Sequence, residues 1–220
     1  MCHSGVGLTP TVEGRVHHFS AGGLYDGLVL LIDDETRTYW DHITGRARYG
    51  PSRGATLETW PLAYTTVAAQ RETGRPLRVA VPPRRGVSAW MFGRLGRKNV
   101  GTRGRLPPGF RATMGPPDPR RPGMDQGLGV VHGDAARFYP TSEVAGAEGQ
   151  AVEDDWQGAT LRVALGAVDR VPAATWRDGS RPMQMFTRWY GFSASFPGCG
   201  VFRRSSAPGI ARAASGPDAP

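Results

Sequence analysis

The sequence is short of lysine, cysteine and long apolar runs, and the last two shortages each exclude a class of protein. Lys98 is the only lysine, so arginine supplies nearly all of the positive charge behind the net charge of +8. The longest apolar run, Leu28 to Ile32, is far shorter than the ~20 residues that a membrane-spanning helix needs. Cys2 and Cys199 could close one disulfide at most, which excludes a disulfide-stapled fold.

The basic charge has no nucleic-acid-binding motif to accompany it. The sequence pI is near 10.3, but the chain has no helix-turn-helix, zinc-finger or RRM pattern, so we expect a solvated basic surface. Residues Ser88 to Lys98 could form a short basic amphipathic helix that contacts a membrane surface peripherally. Gly93 and Gly96 would each weaken that helix by about 1 kcal/mol relative to alanine.

Glycine and proline are abundant, with 31 and 19 residues, and the apolar content is 39%. This composition favours many short strands, so we predict a mainly β protein with a few short helices and antiparallel hairpins. The clearest segment runs from Arg15 to Gly50. This segment contains, in order, an apolar strand over Leu28 to Ile32, a polar turn over Asp33 to Thr36, a strand over Arg37 to His42 and a turn at Thr44-Gly45.

Composition divides the chain into four parts. We predict a first β-rich module over 1–81, a basic Pro/Gly-rich insertion or linker over 82–126, a second β-rich module over 127–203 and a disordered tail over 204–220. In the first module, Thr65 or Thr66 caps a short helix through Gln70, and Leu77 to Val81 forms a strand. In the second, Gly133-Asp134 turns a hairpin, and Thr160 to Leu165 and Met183 to Tyr190 form strands.

One pattern of the first module consists, in this order, of Phe19, Gly22-Gly23-Leu24-Tyr25, Asp33 or Asp34, Thr36, Trp40, Thr44-Gly45, Gly50-Pro51, Gly54 and Leu57. This pattern resembles that of a family of uncharacterised bacterial and archaeal proteins, domain-of-unknown-function family 3179. His132 to Pro140 and Asp154 to Gly158 are similar to two further phrases of that family, which usually precede the first set. This order implies a member that is truncated at its amino end or rearranged. Family members often look exported, so the resemblance leaves the compartment open: extracytoplasmic if a leader precedes Met1, otherwise cytoplasmic.

One group of residues could bind a metal ion. Cys2, His3 and either His17 or His18 carry thiolate and imidazole donors, which suit zinc or copper. His17 and His18 are adjacent, so in a strand they point to opposite faces and only one of them joins a site with Cys2. The family usually has Cys-x-x-Cys where this chain has Cys2 to Gly5, and this departure removes the thiol pair.

Two further groups could bind a ligand. Trp40, Asp41 and His42 place a carboxylate beside an imidazole, which allows a cryptic hydrolase, although the chain has no nucleophile elbow or P-loop. In the aromatic strand near the carboxyl end, Arg188 and Tyr190 would share one face, and they could bind a small molecule or a protein.

The sequence therefore favours a non-enzymatic β-rich binding or interaction domain whose ligand is unknown. The alternatives are a metal-binding or redox-related protein with a site near Cys2, His3 and His17, and a hydrolase that uses Asp41 and His42.

Overall fold

The computed structural model describes residues 4–78, 106 and 108–204, and over these residues the regular secondary structure is mainly strand, with four short α-helices. In the first half the elements are β1 (Gly7–Leu8), β2 (Thr11–Val12), β3 (Arg15–Val16), β4 (Phe19–Tyr25), β5 (Leu28–Asp33), β6 (Tyr39–Asp41), β7 (Ala47–Tyr49), β8 (Thr59–Trp60) and α1 (Val67–Glu72). The later elements are α2 (Pro108–Arg111), β9 (Gln126–His132), β10 (Ala135–Pro140), α3 (Thr141–Ala145), a 3₁₀ turn (Glu148–Gln150), β11 (Ala151–Trp156), β12 (Ala159–Leu165), β13 (Pro172–Trp176), β14 (Met183–Arg188), α4 (Trp189–Ser195) and β15 (Gly200–Val201). The predicted mainly β architecture is confirmed.

A four-stranded antiparallel sheet, β4-β5-β6-β7, organises the first half. The polar turn that follows β5 forms because the Asp33 carboxylate accepts hydrogen bonds from the backbone amide and the hydroxyl of Thr36. In the register of this sheet Leu31 lies opposite Trp40, which has no exposed surface. Trp40 packs in a small core cluster with Val12, Ala47 and Leu57.

Two sheets form the second half. One has the order β14-β9-β10-β15, in which β10 and β15 are parallel, and the other is the antiparallel sheet β11-β12-β13. The predicted hairpin turn at Gly133-Asp134 joins β9 to β10. The core between these sheets holds the buried side chains Leu128, Tyr139 and Leu161 among others.

A third core cluster contains residues from both halves. Leu28 and Ile43 pack in it with Phe138, Trp189 and Phe192. Described residues of the basic middle segment also pack against this cluster, namely Leu106, Met114 and Met124. Within the described part of the chain, the two halves are therefore joined through shared apolar packing.

The predicted strand Met183 to Tyr190 is wrong at its carboxyl end. β14 stops at Arg188, and Trp189 begins α4, which is followed by β15. The backbone amides of Trp189 and Tyr190 donate to Asp125 O and Gly123 O, so the middle segment takes the hydrogen bonds that a strand would have used. Arg188 and Tyr190 consequently do not share the face of one strand.

Three other predictions meet the structure in part. The strand over Arg37 to His42 is shorter than predicted and spans only Tyr39–Asp41. Thr66 caps α1 as predicted, accepting a hydrogen bond from the Ala69 amide. Leu77 lies outside any strand, and residues 79–81, the predicted helix 88–98 and the tail 205–220 lie outside the described residues. No helix over the described ranges is long and apolar enough to span a membrane.

Candidate metal centre

Three side chains that can each offer one metal ligand converge beside the first sheet: His17, Asp33 and Glu35. His17 Nδ1 lies 3.5 Å from Asp33 Oδ1 and 3.8 Å from Glu35 Oε2. The His17 and Asp33 side chains are 6% and 0% exposed, while that of Glu35 is 34% exposed. The cluster is thus buried on one side and accessible to solvent on the Glu35 side.

Strand pairing brings these residues together across the sequence. Phe19, which follows the two histidines, lies opposite Asp33 in the β4–β5 register. The Asp34 amide donates to His18 O, and this bond holds the residue before β4 against the start of the turn. The turn then directs Glu35 back towards both histidines.

Hydrogen bonds hold the Asp33 carboxylate in place. The Trp40 indole donates to Asp33 Oδ2 at 2.7 Å, and the Thr36 amide and hydroxyl donate to Oδ1. Burial raises the pKa of Asp33, but the donors Trp40 and Thr36, with His17 nearby, outweigh it and hold the pKa below its ordinary value. Asp33 is therefore an oriented anion, as a metal-binding carboxylate must be.

His18 orients the third member of the cluster. Its ring nitrogen Nδ1 lies 2.7 Å from Glu35 Oε1, and its backbone amide donates to Glu35 Oε2. The hydrogen bond with His18 lowers the pKa of Glu35, and the same bond raises the pKa of His18. The two adjacent histidines differ in burial, since the His17 side chain is 6% exposed and that of His18 is 77% exposed, although both lie close to Glu35.

His17 Nδ1 is the feature that sets this cluster apart from an ordinary polar turn. It is buried and has no hydrogen-bond partner among the described residues, because 3.5 Å to Asp33 exceeds the usual ~2.7–3.2 Å of an N–H···O bond. A buried polar atom without a partner costs about 1–3 kcal/mol. A cation between His17 and the two carboxylates would remove that cost.

The other predicted metal ligands lie elsewhere. Cys2 and His3 are outside the described residues, so their part in this site stays a prediction. Cys199 is a buried free thiol in the core cluster shared by the two halves. Burial raises its pKa, and Arg120 donates to its backbone carbonyl.

The predicted Asp41 and His42 pair has other partners. The Asp41 carboxylate accepts hydrogen bonds from the Arg48 guanidinium and from the amides of Ile43 and Thr44. The His42 Nδ1 lies 2.7 Å from the carbonyl oxygen of Val29. Asp41 is thus part of a turn and an ion pair.

The remaining predicted ligand-binding residues are largely buried. Trp40 is 0%, Arg188 7% and Tyr190 4% exposed. Arg188 donates to Met124 O, and the Tyr190 hydroxyl donates to Gly27 O. These three residues hold the described part of the chain together, and each faces neighbouring chain rather than open solvent.

Comparisons with known proteins give a family and no function. No curated protein and no solved structure matches the chain. The family model of a protein of unknown function, DUF3179, matches residues 1–191, and this range includes the basic middle segment. The chain therefore belongs to the DUF3179 family.

Proposed function

We propose that this chain is a metal-binding β domain, a binding protein rather than an enzyme, whose ligand is a zinc ion held by His17, Asp33 and Glu35. The observation that carries the proposal is the buried, unpartnered Nδ1 of His17 facing two carboxylates. The proposed site combines two expectations from the sequence, a binding domain and His17 as a metal ligand.

The donor distances favour zinc. Donors at ~2.0–2.1 Å from a tetrahedral zinc ion lie roughly 3.3 Å from one another. The distances of 3.5 and 3.8 Å from His17 Nδ1 to the two carboxylates are close to that value, and the donor atoms of all three residues lie within 4.8 Å of one another. Three protein ligands leave one position for water or for a fourth ligand.

The donor types support the same ion. One imidazole and two carboxylates suit zinc better than magnesium or calcium, which prefer oxygen ligands alone. The bonds from Trp40 to Asp33 and from His18 to Glu35 supply the outer hydrogen bonds that metal-binding carboxylates typically have. Copper(II) accepts the same donors and generally binds more tightly, so it is the competing ion.

The test is zinc binding by untagged, chelator-dialysed protein, measured by equilibrium dialysis with elemental analysis. We expect one zinc ion per chain in the wild type and at least tenfold weaker binding in His17→Asn and Glu35→Gln. Asp34→Asn, a neighbouring turn carboxylate, and His132→Ala, an exposed histidine of the second half, are the matched controls and should bind as wild type.

Circular dichroism of each variant separates loss of the site from loss of the fold. Wild-type protein that binds no zinc, or that loses its zinc equally in the His132→Ala control, would contradict the proposal. Copper binding that depends on His17 while zinc does not bind would replace the ion and keep the site. Cys2→Ser tests whether the amino-terminal thiol is the fourth ligand.

A further inference from the structure

The first sheet has one open edge, formed by β4. This strand lies at the end of the order β4-β5-β6-β7, and among the described strands it pairs with β5 alone. The described residues give the backbone of Ser20 to Leu24 no backbone hydrogen bond other than those to β5. The outward amides and carbonyls of β4 therefore form a row of donors and acceptors that a further strand can use. We call this row the β4 edge.

The β4 edge lacks the charged and proline residues that commonly prevent a strand from pairing with another chain. The strand contains no charged residue and no proline over its seven positions. Four of these positions are exposed: Ser20, Ala21, Gly23 and Tyr25. A long, uncharged and exposed edge is a template for strand pairing between chains.

Other sheet edges of the described chain are protected where β4 is not. The edge strand β11 carries three consecutive carboxylates, Glu153, Asp154 and Asp155. Pairing of two copies of β11 would bring like charges together, which is destabilising. At the other edge of the first sheet, β7 is only three residues long. Self-association by strand pairing is therefore favoured at β4 over these two edges.

Gly23 gives a second, independent indication of a partner at the β4 edge. Its φ is not positive, and a Cβ at this position would meet nothing within 4 Å. Neither backbone conformation nor packing within the described chain therefore requires glycine here, although glycine in a strand costs roughly 0.5–1 kcal/mol relative to alanine. Glycine in a strand also marks places where another backbone approaches closely.

The neighbouring Gly22 has a separate explanation within the chain. The register of β4 against β5 shifts between Ala21 and Gly23, so Gly22 is the extra residue of a bulge. A Cβ at Gly22 would lie 2.7 Å from Ile32 Cβ, so packing inside the first sheet requires glycine there. Only Gly23 is left to be explained by a strand outside the described chain.

The two ends of β4 suit a second copy of this chain in antiparallel order. His18 precedes the strand with a side chain that is 77% exposed, and the partly exposed Asp26 follows it. Antiparallel pairing about a two-fold axis brings the His18 end of each copy to the Asp26 end of the other. His18 Nδ1 is bonded to Glu35 and Asp26 Oδ1 to the Gly115 amide, which leaves His18 Nε2 and Asp26 Oδ2 for contacts between copies.

We propose that two copies of this chain associate through the β4 edge in antiparallel order, so that their first sheets join into one continuous sheet. The two-fold axis passes close to the middle of the strand, at Gly22. The proposal is independent of the metal centre, because strand pairing uses backbone groups of β4 and no metal ligand. Seven residues span only about 23 Å, less than a permanent interface needs, so we expect a dissociation constant of about 1–100 μM.

The test is sedimentation velocity of the full chain in chelator, over protein concentrations from about 1 to 500 μM. Salt at about 0.15 M screens the net charge of +8. Ala21→Lys and Ala21→Glu each place like charges near the axis on one face, so each should weaken dimerisation about tenfold or more. An equimolar mixture of the two variants should dimerise again, because the charges are then opposite. Ala167→Lys, in an exposed turn of the second half, should dimerise as wild type.

Gly23→Ala separates the interface from the fold of the single chain. In the monomer the added methyl group enters open space, so the melting temperature of dilute protein should stay equal or rise. In the dimer the methyl group lies where a second backbone approaches, so dimerisation should weaken about tenfold or more. Circular dichroism confirms that each variant is folded.

Hydrogen exchange of the wild type locates the contact without any variant. The amides of residues 19–25 should exchange more slowly in concentrated than in dilute protein, and those of β11 should not change. A chain that stays monomeric over the whole concentration range would overturn the proposal, and so would a dimer whose β4 amides exchange equally at both concentrations. Folded Ala21→Lys and Gly23→Ala that both dimerise as wild type would overturn it too. A dimer that forms only with added zinc and persists in Ala21→Lys would point to a metal bridge instead.

Discussion

The side-chain amide of Gln184 forms both hydrogen bonds that a neighbouring strand would offer to Ala174. Gln184 Oε1 accepts from the Ala174 amide at 2.7 Å, and Gln184 Nε2 donates to the Ala174 carbonyl at 2.8 Å. Gln184 belongs to β14 and Ala174 to β13, which lie in different sheets. One buried side chain therefore ties the two sheets of the second half together.

Gln184→Leu should destabilise the fold by about 1–3 kcal/mol, because it leaves the amide and carbonyl of Ala174 buried without partners. Urea unfolding followed by circular dichroism measures the change. Gln70→Ala, on the surface helix α1, is the control and should change stability by less than about 0.5 kcal/mol. Equal stability of Gln184→Leu and wild type would mean that the two sheets do not depend on this bond pair.

Gly22→Ala should destabilise the first sheet, and Gly23→Ala should not do so by steric contact. A Cβ at Gly22 would lie 2.7 Å from Ile32 Cβ and 3.0 Å from Tyr39, while a Cβ at Gly23 would meet nothing within 4 Å. Overpacking of this kind costs about 1–3 kcal/mol. Thermal unfolding of the two single variants checks the difference, and equal melting temperatures would contradict the close approach of β4 and β5 at Gly22.

Local pattern was sufficient to predict much of the fold. The apolar run from Leu28, the polar turn after Asp33 and the Gly133-Asp134 reversal each encode their structure in adjacent residues, so they could be read directly. The helix α4 could not, because an aromatic-rich segment at Trp189 is also typical of a strand. Its helical form depends on hydrogen bonds from Trp189 and Tyr190 to Asp125 and Gly123, more than sixty residues earlier in the chain.

The candidate metal centre was predictable only in part, for a similar reason. His17 is a natural metal ligand by residue type, and adjacency to His18 indicates that only one of the two points inwards. Asp33 and Glu35 read as solvent-exposed turn carboxylates, because nothing in the local sequence links them to His17. The link is the β4–β5 register, which is a tertiary property.

Acid should weaken the fold through Asp41. Burial raises the pKa of Asp41, but the bonds from Arg48, Ile43 and Thr44 outweigh it and hold the pKa below its ordinary value. A carboxylate with a lowered folded-state pKa contributes stability above its unfolded pKa of ~3.9, and this stability is lost as the pH falls through the folded-state value. Unfolding free energies measured between pH 7 and pH 3 should therefore decline at the acid end.

Asp41→Asn isolates that contribution. The variant should be less stable than wild type at pH 7, and the difference should shrink as the pH falls below about 4. Asp34→Asn replaces an exposed carboxylate whose nearest cation, in Arg37, is 3.8 Å away, and its difference from wild type should be small. A difference for Asp41→Asn that stays constant over the whole pH range would contradict the assignment.

Trp40→Phe should weaken both the fold and zinc binding, because the indole N–H of Trp40 supports the buried core and also the Asp33 carboxylate of the metal centre. The Trp40 indole donates to Asp33 Oδ2 at 2.7 Å, and both side chains are completely buried. Phenylalanine keeps an aromatic ring in the core, but it removes this donor together with part of the indole volume, so Asp33 loses an orienting bond and the core loses some packing. We expect a loss of about 1–3 kcal/mol in unfolding free energy and a zinc affinity lower by about tenfold or more.

Two controls make the zinc result specific to Trp40. Trp60→Phe changes a tryptophan that is 43% exposed, and it should leave both quantities near wild type. Zinc affinity should be measured in Trp40→Phe at a temperature where circular dichroism shows full folding, so that a fall in affinity reports the loosened Asp33 carboxylate. If the folded variant binds zinc at wild-type affinity, Asp33 is held by Thr36 alone and the indole serves only the core.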